Sequence, residues 1–272
     1  MAKLFSFASW NVENFHGEPV RAARIVDVVA ARDPDVFAIY EVRGKDVYQH
    51  FMTRMPTHSF FLTENMPGGG IEILVGVRRS FPSFVTQRGE FQSQVPTLRP
   101  GAIATVHVGG SVFTLLFLHV KSFPDPRSWG LRDDMFQRVA GLKRTLDRML
   151  GSEGPAKFLC LGDLNTMGLN ATYNDVSDLT PAQEIRSLGR RLSAAGMRPL
   201  KKSRDETWWN GGTSLAPSAL DHVFASRDLA FTDLGGFEVE VVGWPQQPDD
   251  TPRRRWIEEH SDHAMLYGEV AE

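Results

Sequence analysis

The sequence predicts a mixed α/β fold with sheets packed face to face, and two observations carry that expectation. Residues 4–10 read as a strand, the stretch led by Pro19 as a helix, and 36–40 as a second strand, which suggests a parallel pair with a right-handed crossover. Residues 101–108 and 111–119 read instead as an antiparallel hairpin turned by Gly109-Gly110. Crossovers and hairpins in one chain argue for packed mixed sheets rather than a Rossmann sheet.

Each element has a local reason. Leu4 to Trp10 opens the chain as a strand, and Pro19 starts a helix whose Ala22, Ile25, Val28 and Val29 recur at three- and four-residue spacing. Asp33-Pro34-Asp35 ends it, because proline disfavours helix at the preceding residue. Val36 to Tyr40 is a continuous apolar strand with Glu41 at its C-terminal edge. Residues 45–55 read as helix and 60–62 as extended; Pro67 to Gly70 reads as a turn leading into a strand over 71–77, and 83–89 as a further strand.

Residues 132–150 form the longest predicted helix, with an apolar stripe of Met135, Val139, Leu142, Leu146 and Met149 and a polar face of Arg138, Lys143, Arg144 and Arg148. Strands follow at 157–161, 219–225, 237–242 and 264–270, with a helix at 181–195, a loop-rich stretch to Gly212 and a proline-rich loop at 244–252. No internal repeat at solenoid periods and no linker interrupts the chain.

Composition narrows the class. With 42% hydrophobic and 23% charged residues, the 272-residue chain is globular, and disordered, collagen-like and coiled-coil classes fit poorly. Eighteen Phe and six Trp supply core enough that no disulfide is needed. The single cysteine, Cys160, excludes an internal disulfide and favours a reducing compartment. Val112–Leu118, the longest apolar stretch, is far short of the roughly 20 residues that span a bilayer. With no signal-peptide pattern at a start that reads directly as strand, a cytoplasmic protein without stable membrane association is expected. The net charge of −3 does not discriminate between classes of partner, since a near-neutral total can hide a local basic groove.

The chemically informative pattern is a set of polar residues just past strong apolar strands. Asn11, Glu41, His119, Asp163 with Asn165, Asp221-His222 and Asp262-His263 all sit at such positions. Strand ends converge at a sheet edge, so residues distant in sequence can meet there. The set offers oxygen ligands for a hard cation, Mg²⁺ or Mn²⁺, and imidazoles for proton transfer. Further cysteines and closely spaced histidine pairs are lacking, which argues against structural zinc.

Trp10-Asn11-Val12, Tyr40-Glu41-Val42-Arg43, Leu118-His119, Gly162-Asp163-Leu164-Asn165, Leu220-Asp221-His222-Val223 and Ser261-Asp262-His263 stand in a fixed order along the chain. That ordered set resembles the endonuclease/exonuclease/phosphatase superfamily, nearest its deoxyribonuclease I-like branch. The resemblance implies a four-layer α/β sandwich of two mixed β-sheets flanked by helices, a single catalytic domain over residues 1–272, and metal-dependent hydrolysis of phosphate esters.

It also implies roles. Glu41 binds the divalent metal, with Asn11 beside it and Asp262 as a further candidate ligand. Asp163 orients or deprotonates water, and Asn165 donates to a phosphate oxygen. His263, held by Asp221, contacts the scissile phosphate. His119 is a second imidazole with Glu72 as its candidate carboxylate partner, and Arg43 matches a phosphate contact. Two positions depart from the family pattern: Tyr40 replaces the usual Gln, and Leu164 replaces the commoner Phe.

The expected reaction is Mg²⁺- or Mn²⁺-dependent cleavage of DNA phosphodiester bonds. The alternatives are a phospholipid head group, inositol phosphate or other small phosphate ester, and a non-catalytic binding module. The basic stretches, Arg186 to Arg204 and Arg253-Arg254-Arg255, read as solvated surface or as contacts to a nucleic-acid backbone. Trp208-Trp209 reads as core packing, as a stacking surface for a base or sugar, or as a contact to a lipid interface.

Overall fold

The computed structural model describes residues 2–15, 18–43, 46–64, 72–173 and 175–272. The Pro67–Gly70 turn expected from sequence lies outside the described residues. In chain order the strands are β1 (Lys3–Phe15), β2 (Val36–Val42), β3 (His58–Leu62), β4 (Glu72–Arg78), β5 (Ser83–Arg88), β6 (Gly101–Val108), β7 (Ser111–His119), β8 (Lys157–Asp163), β9 (Met197–Pro199), β10 (Asp221–Ser226), β11 (Ala230–Phe231), β12 (Val239–Val242) and β13 (Met265–Ala271). The helices are α1 (Pro19–Arg32), α2 (Asp46–Arg54), α3 (Pro126–Leu150), α4 (Pro181–Ser193) and α5 (Asp250–Glu259).

Two mixed sheets result. One runs β11-β13-β1-β2-β4-β3 with β12 also on β13, and the other runs β5-β6-β7-β8-β10-β9. The pairs β1–β2 and β7–β8 are parallel, while β6–β7 is the expected hairpin. Alternation along the strands divides the core into layers, because successive side chains point to opposite sheet faces. Phe5 and Phe7 of β1, Phe113, Leu115 and Phe117 of β7, and Leu159 and Leu161 of β8 share the core between the sheets. Their neighbours Ala8, Trp10 and Val12 pack with α1 residues on the outside of the first sheet. Leu116, Leu118, Phe158 and Cys160 pack against α3 and α4 outside the second. Helices, sheet, sheet and helices make the four layers.

The helices differ from their expected outlines for local reasons. In α1 the buried stripe is Ala22, Ile25, Val26 and Val29, so Val26 takes the place expected for Val28. Helix α3 begins six residues earlier than 132, at Pro126, because Asp125 accepts from the Ser128 N–H and Pro126 occupies the first turn. Its expected stripe fails at Met149, which is 78% exposed, while Phe136 and Ala140 are buried instead. Lys143, expected on the polar face, is buried and donates to Asp147 at 2.5 Å. The expected proline-rich loop ends where α5 begins, with Asp249 capping the Thr251 N–H.

A buried carboxylate ties the first sheet together. Asp35 accepts from the Ser6 backbone N–H and hydroxyl, both at 2.8 Å, and from the Arg78 guanidinium. Burial alone would raise its pKa, yet the Ser6 and Arg78 donors hold it below the ordinary carboxylate value of 3.8. A folded-state pKa below the unfolded one stabilises the protein above that ordinary value, and the contribution is lost as pH falls through the folded pKa. We expect Asp35→Asn to cost about 2 kcal/mol at pH 7 and to flatten the acid limb below about pH 4. Urea unfolding from pH 3 to 7 checks this; a variant with the wild-type acid profile would refute it.

Candidate active site

The inward-facing positions of the central strands end in polar side chains. Following Phe5 and Phe7, the same face of β1 ends at Asn11; β7 ends at His119 after Phe117, and β8 ends at Asp163 after Leu161. Register brings these ends together, since His119 pairs with Asp163 in the parallel ladder and Asp221, at the start of β10, faces Asp163 across the antiparallel one. Glu41 is the exception to alternation. Its inward neighbours are Val36, Ala38 and Tyr40, so position 41 belongs to the opposite face. A register shift between Tyr40 and Val42 and a left-handed backbone (φ 63°) at Glu41 turn its carboxylate toward the site. A bulge that re-aims a side chain in this way is a recognised functional device.

Asn11, Glu41, His119, Asp163, Asn165, Asp262 and His263 line one cleft of about 240 Å³, together with Arg99, Phe123 and Trp208. The Asn11 amide donates to Asp163 Oδ2 at 2.9 Å and to Glu41 Oε1 at 3.3 Å, bridging the two sheets. His263 Nδ1 donates to Asp221 Oδ2 at 2.9 Å, which leaves Nε2 3.9 Å from Asp163 Oδ2. His119 Nε2 is 3.4 Å from the same Asp163 oxygen and 3.7 Å from Glu41 Oε1. Buried Ser261 donates to the Asn11 carbonyl, and Trp10 donates to the His263 carbonyl, fixing the chain that carries Asp262 and His263.

Electrostatics separate the two imidazoles. Burial, with the Arg99 charge, pushes His119 well below its usual value and keeps it neutral. Burial also opposes charge on His263, but Asp221 and Asp163 prevail and raise it to about 10. Asp163 is raised by burial and by the nearby Asp221 and Glu41 charges. Burial likewise raises Asp262 and Glu13, reinforced by Glu41 for both. Mutually repelling carboxylates facing one cleft are a fitting environment for a hard divalent cation. Asp163, Asp221 and His263 present ligand atoms within 4.8 Å of one another. The hydrogen bond from His263 to Asp221 occupies one of those imidazole nitrogens, however, so the oxygen donors around Glu41 fit such a cation better.

The family model described as Endonuclease/Exonuclease/phosphatase matches residues 8–263, a span that takes in every one of these cleft residues. The chain belongs to that family. Its phosphoesterase fold is shared with a humanized D. rerio TDP2 (18% identity, TM-score 0.69, all of both chains covered). It is shared too with an endonuclease/exonuclease/phosphatase from Bacteroides vulgatus (13%, 0.66, 99% of both). A Bacteroides thetaiotaomicron mannosyl-6-phosphatase matches at 15% identity and TM-score 0.65, covering 98% of this chain and 100% of that one. At these identities the likeness is one of fold. No curated protein sequence gives a significant match.

Within the family fold, most residues singled out from sequence meet in the cleft, and two stand apart. Arg43 is exposed at the end of β2, and its charge is felt at Arg99. The expected pairing of Glu72 with His119 is not formed. Glu72 opens β4 opposite Val42, one strand beyond β2, where it accepts from Thr63 Oγ1 at 2.7 Å, and among the described residues His119 Nδ1 is buried without a hydrogen-bond partner. The departures at Tyr40 and Leu164 are packed away. The Tyr40 hydroxyl meets Ser9 and the Leu161 carbonyl, and its ring stands edge-on to His119, while Leu164 packs in the outer core.

Sequence reasoning missed Arg99, whose Nε is buried beside the cleft's carboxylates and imidazoles without a hydrogen-bond partner among the described residues. Its only local signal is a charge between Leu98 and Pro100 at the entry to β6. The two tryptophans divide their duties. Trp209 is buried against Trp244, whereas Trp208 lines the cleft and donates to Asp262 Oδ2 at 2.6 Å. Much of the basic sequence is used internally, as Arg191 pairs with Asp133, Arg198 with Glu238 and Arg254 with Asp250. Among the described residues no helix is long and apolar enough to cross a membrane.

Proposed function

We propose that this protein is a Mg²⁺- or Mn²⁺-dependent phosphodiesterase, a nuclease that hydrolyses DNA phosphodiester bonds. The observation that carries the reading is two buried imidazoles facing Asp163 Oδ2 at 3.4 and 3.9 Å, with Glu41 alongside; burial pushes His119 below its usual value, while Asp221 and Asp163 raise His263. Pairs of groups whose environments push their pKa values apart mark the acid and base of a reaction. A D. rerio TDP2 structure complexed with single strand DNA product is among the structural relatives, which favours a nucleic-acid substrate.

Glu41, Asn11 and Asp262 would hold the cation, which when bound supplies charge neutralisation at a phosphoryl oxygen. Asp163, raised in pKa and flanked by neutral His119, orients the attacking water and takes its proton as the oxygen adds to phosphorus. Cationic His263 faces the phosphate through Nε2 and gives a proton to the departing ester oxygen as the P–O bond breaks. Asp221 keeps its tautomer and orientation. Asn165 and Arg99 add donors for the developing negative charge. Asn165 is set for this by a left-handed backbone (φ 44°) and by its N–H bond to Asp163.

Plasmid and linear DNA incubated with Mg²⁺ or Mn²⁺, against an EDTA control, test the proposal. Metal-dependent nicking or shortening supports it, and intact DNA at every salt concentration refutes it. The mannosyl-6-phosphatase relative and the modest cleft favour a second reading, a small phosphate ester as substrate. Activity confined to sugar phosphates, inositol phosphates or phospholipid head groups in a substrate panel would select it.

Trp208 offers a check on the cation assignment. Groups that hydrogen-bond a metal-binding carboxylate commonly tune affinity by 10–100-fold. We expect Trp208→Phe, which removes the indole donor to Asp262, to raise the Mg²⁺ concentration for half-maximal activity about tenfold. An unchanged Mg²⁺ titration would remove Asp262 from the metal site.

A further inference from the structure

At the rim of the cleft Phe123 is 58% exposed, and no other ring packs on it among the described residues. Its backbone is left-handed (φ 83°), a conformation that a bulky non-glycine side chain keeps only where its surroundings impose it. The imposition is visible. The Phe123 carbonyl accepts from Arg132 Nη1 at 2.6 Å, and the Phe123 N–H donates to Met167 Sδ at 3.1 Å. Arg132 is wholly buried and is itself clamped by Glu184 at 2.8 and 3.1 Å. The next carbonyl, Pro124, accepts from the Asn170 N–H. Lys121 Nζ lies 4.8 Å from the centre of the ring. An ion pair behind the cleft thus holds an aromatic ring out into solvent beside the catalytic groups, with an ammonium against it.

We propose that Phe123 is a specificity-determining residue: the stacking platform for the nucleobase of a nucleotide adjoining the scissile phosphate. The inference rests on the nuclease reading above and extends it to a subsite. A single ring flanked by Lys121 and Ser122 lacks the contiguous apolar surface that a lipid chain requires. A flat face next to an ammonium suits a base that carries its own phosphate. Fixing the ring in advance spares the ordering cost on binding. Stacking accepts every base, so the subsite selects for a nucleoside over a bare sugar or alkyl ester without reading sequence.

The test uses oligonucleotides with one natural phosphodiester among methylphosphonate linkages, flanked either by normal bases or by baseless tetrahydrofuran nucleotides, with Mg²⁺. Wild-type protein, Phe123→Leu and Phe123→Trp are compared by kcat/KM. We expect Phe123→Leu to lose about tenfold or more on the base-containing substrate, with no loss on the baseless one, and Phe123→Trp to retain wild-type preference. Equal activity of Phe123→Leu and wild type on the base-containing substrate overturns the inference while leaving the nuclease reading intact. Equal losses on both substrates also overturn it, since the ring would then serve only to support its loop. Failure of the wild type to cleave either substrate refutes the nuclease reading, and the subsite with it.

Discussion

If the proposed nuclease reading holds, replacing His263 with Asn is expected to lower kcat on DNA about a thousandfold while leaving the fold intact. The Asn amide can supply the donor that the imidazole Nδ1 now gives to Asp221 Oδ2, so the buried carboxylate keeps its partner. What the variant lacks is Nε2, the nitrogen that faces Asp163 and the cleft, and with it the cation raised to a pKa of about 10. Loss of proton transfer contributes roughly 10²- to 10⁴-fold, and loss of a charge aimed at the transition state adds to it. His263→Ala is expected to be as inactive but less stable, because Asp221 would be left buried without its hydrogen bond. Single-turnover kinetics and thermal melts of the two variants separate these effects. Activity within tenfold of wild type in His263→Asn would show that the imidazole is not part of the reaction.

The largest stability effect belongs to a residue away from the chemistry. Arg132→Ala should destabilise the protein by about 4 kcal/mol, since breaking a buried pair leaves the partner's charge uncompensated. Arg132 donates to both Glu184 oxygens and to the Lys121, Phe123 and Gly168 carbonyls, and Glu184 also accepts from the Gly168 N–H. Those carbonyls belong to the two segments carrying Phe123 and Met167 at the cleft. Arg132→Met with Glu184→Met removes the stranded charge and should recover part of the loss, although the three carbonyls and Gly168 N–H remain without these partners. Urea unfolding measures both variants. A loss below about 1 kcal/mol in Arg132→Ala would show that the segments hold themselves.

Strand positions and the polar residues at their ends were legible because both follow from alternation and burial, which short stretches of sequence display directly. The hairpin at Gly109-Gly110 was legible for the same reason, as both glycines take the left-handed backbone its turn needs. Helix α5 was not, because Ile257 is its only buried residue and so it shows no apolar stripe. Glu41 was legible as a polar residue at a strand end, but the way it reaches the cleft was not, since its bulge and positive φ override the alternation that places it on the other face. Arg99 and the separation of Glu72 from His119 depend on how strands from the two sheets lie over one another. Nothing within either segment encodes that.

The cleft takes Asn11 and Glu41 from one sheet and His119, Asp163 and Asp221 from the other, and hydrogen bonds cross the seam from Asn11 to Asp163 and from His263 to Asp221. Catalytic geometry therefore works as a vernier on the alignment of the two halves of the sandwich. A slip of about an ångström along the seam leaves every ladder hydrogen-bonded yet spoils the reaction geometry. In rising denaturant, turnover should fade before circular dichroism registers any loss of strand.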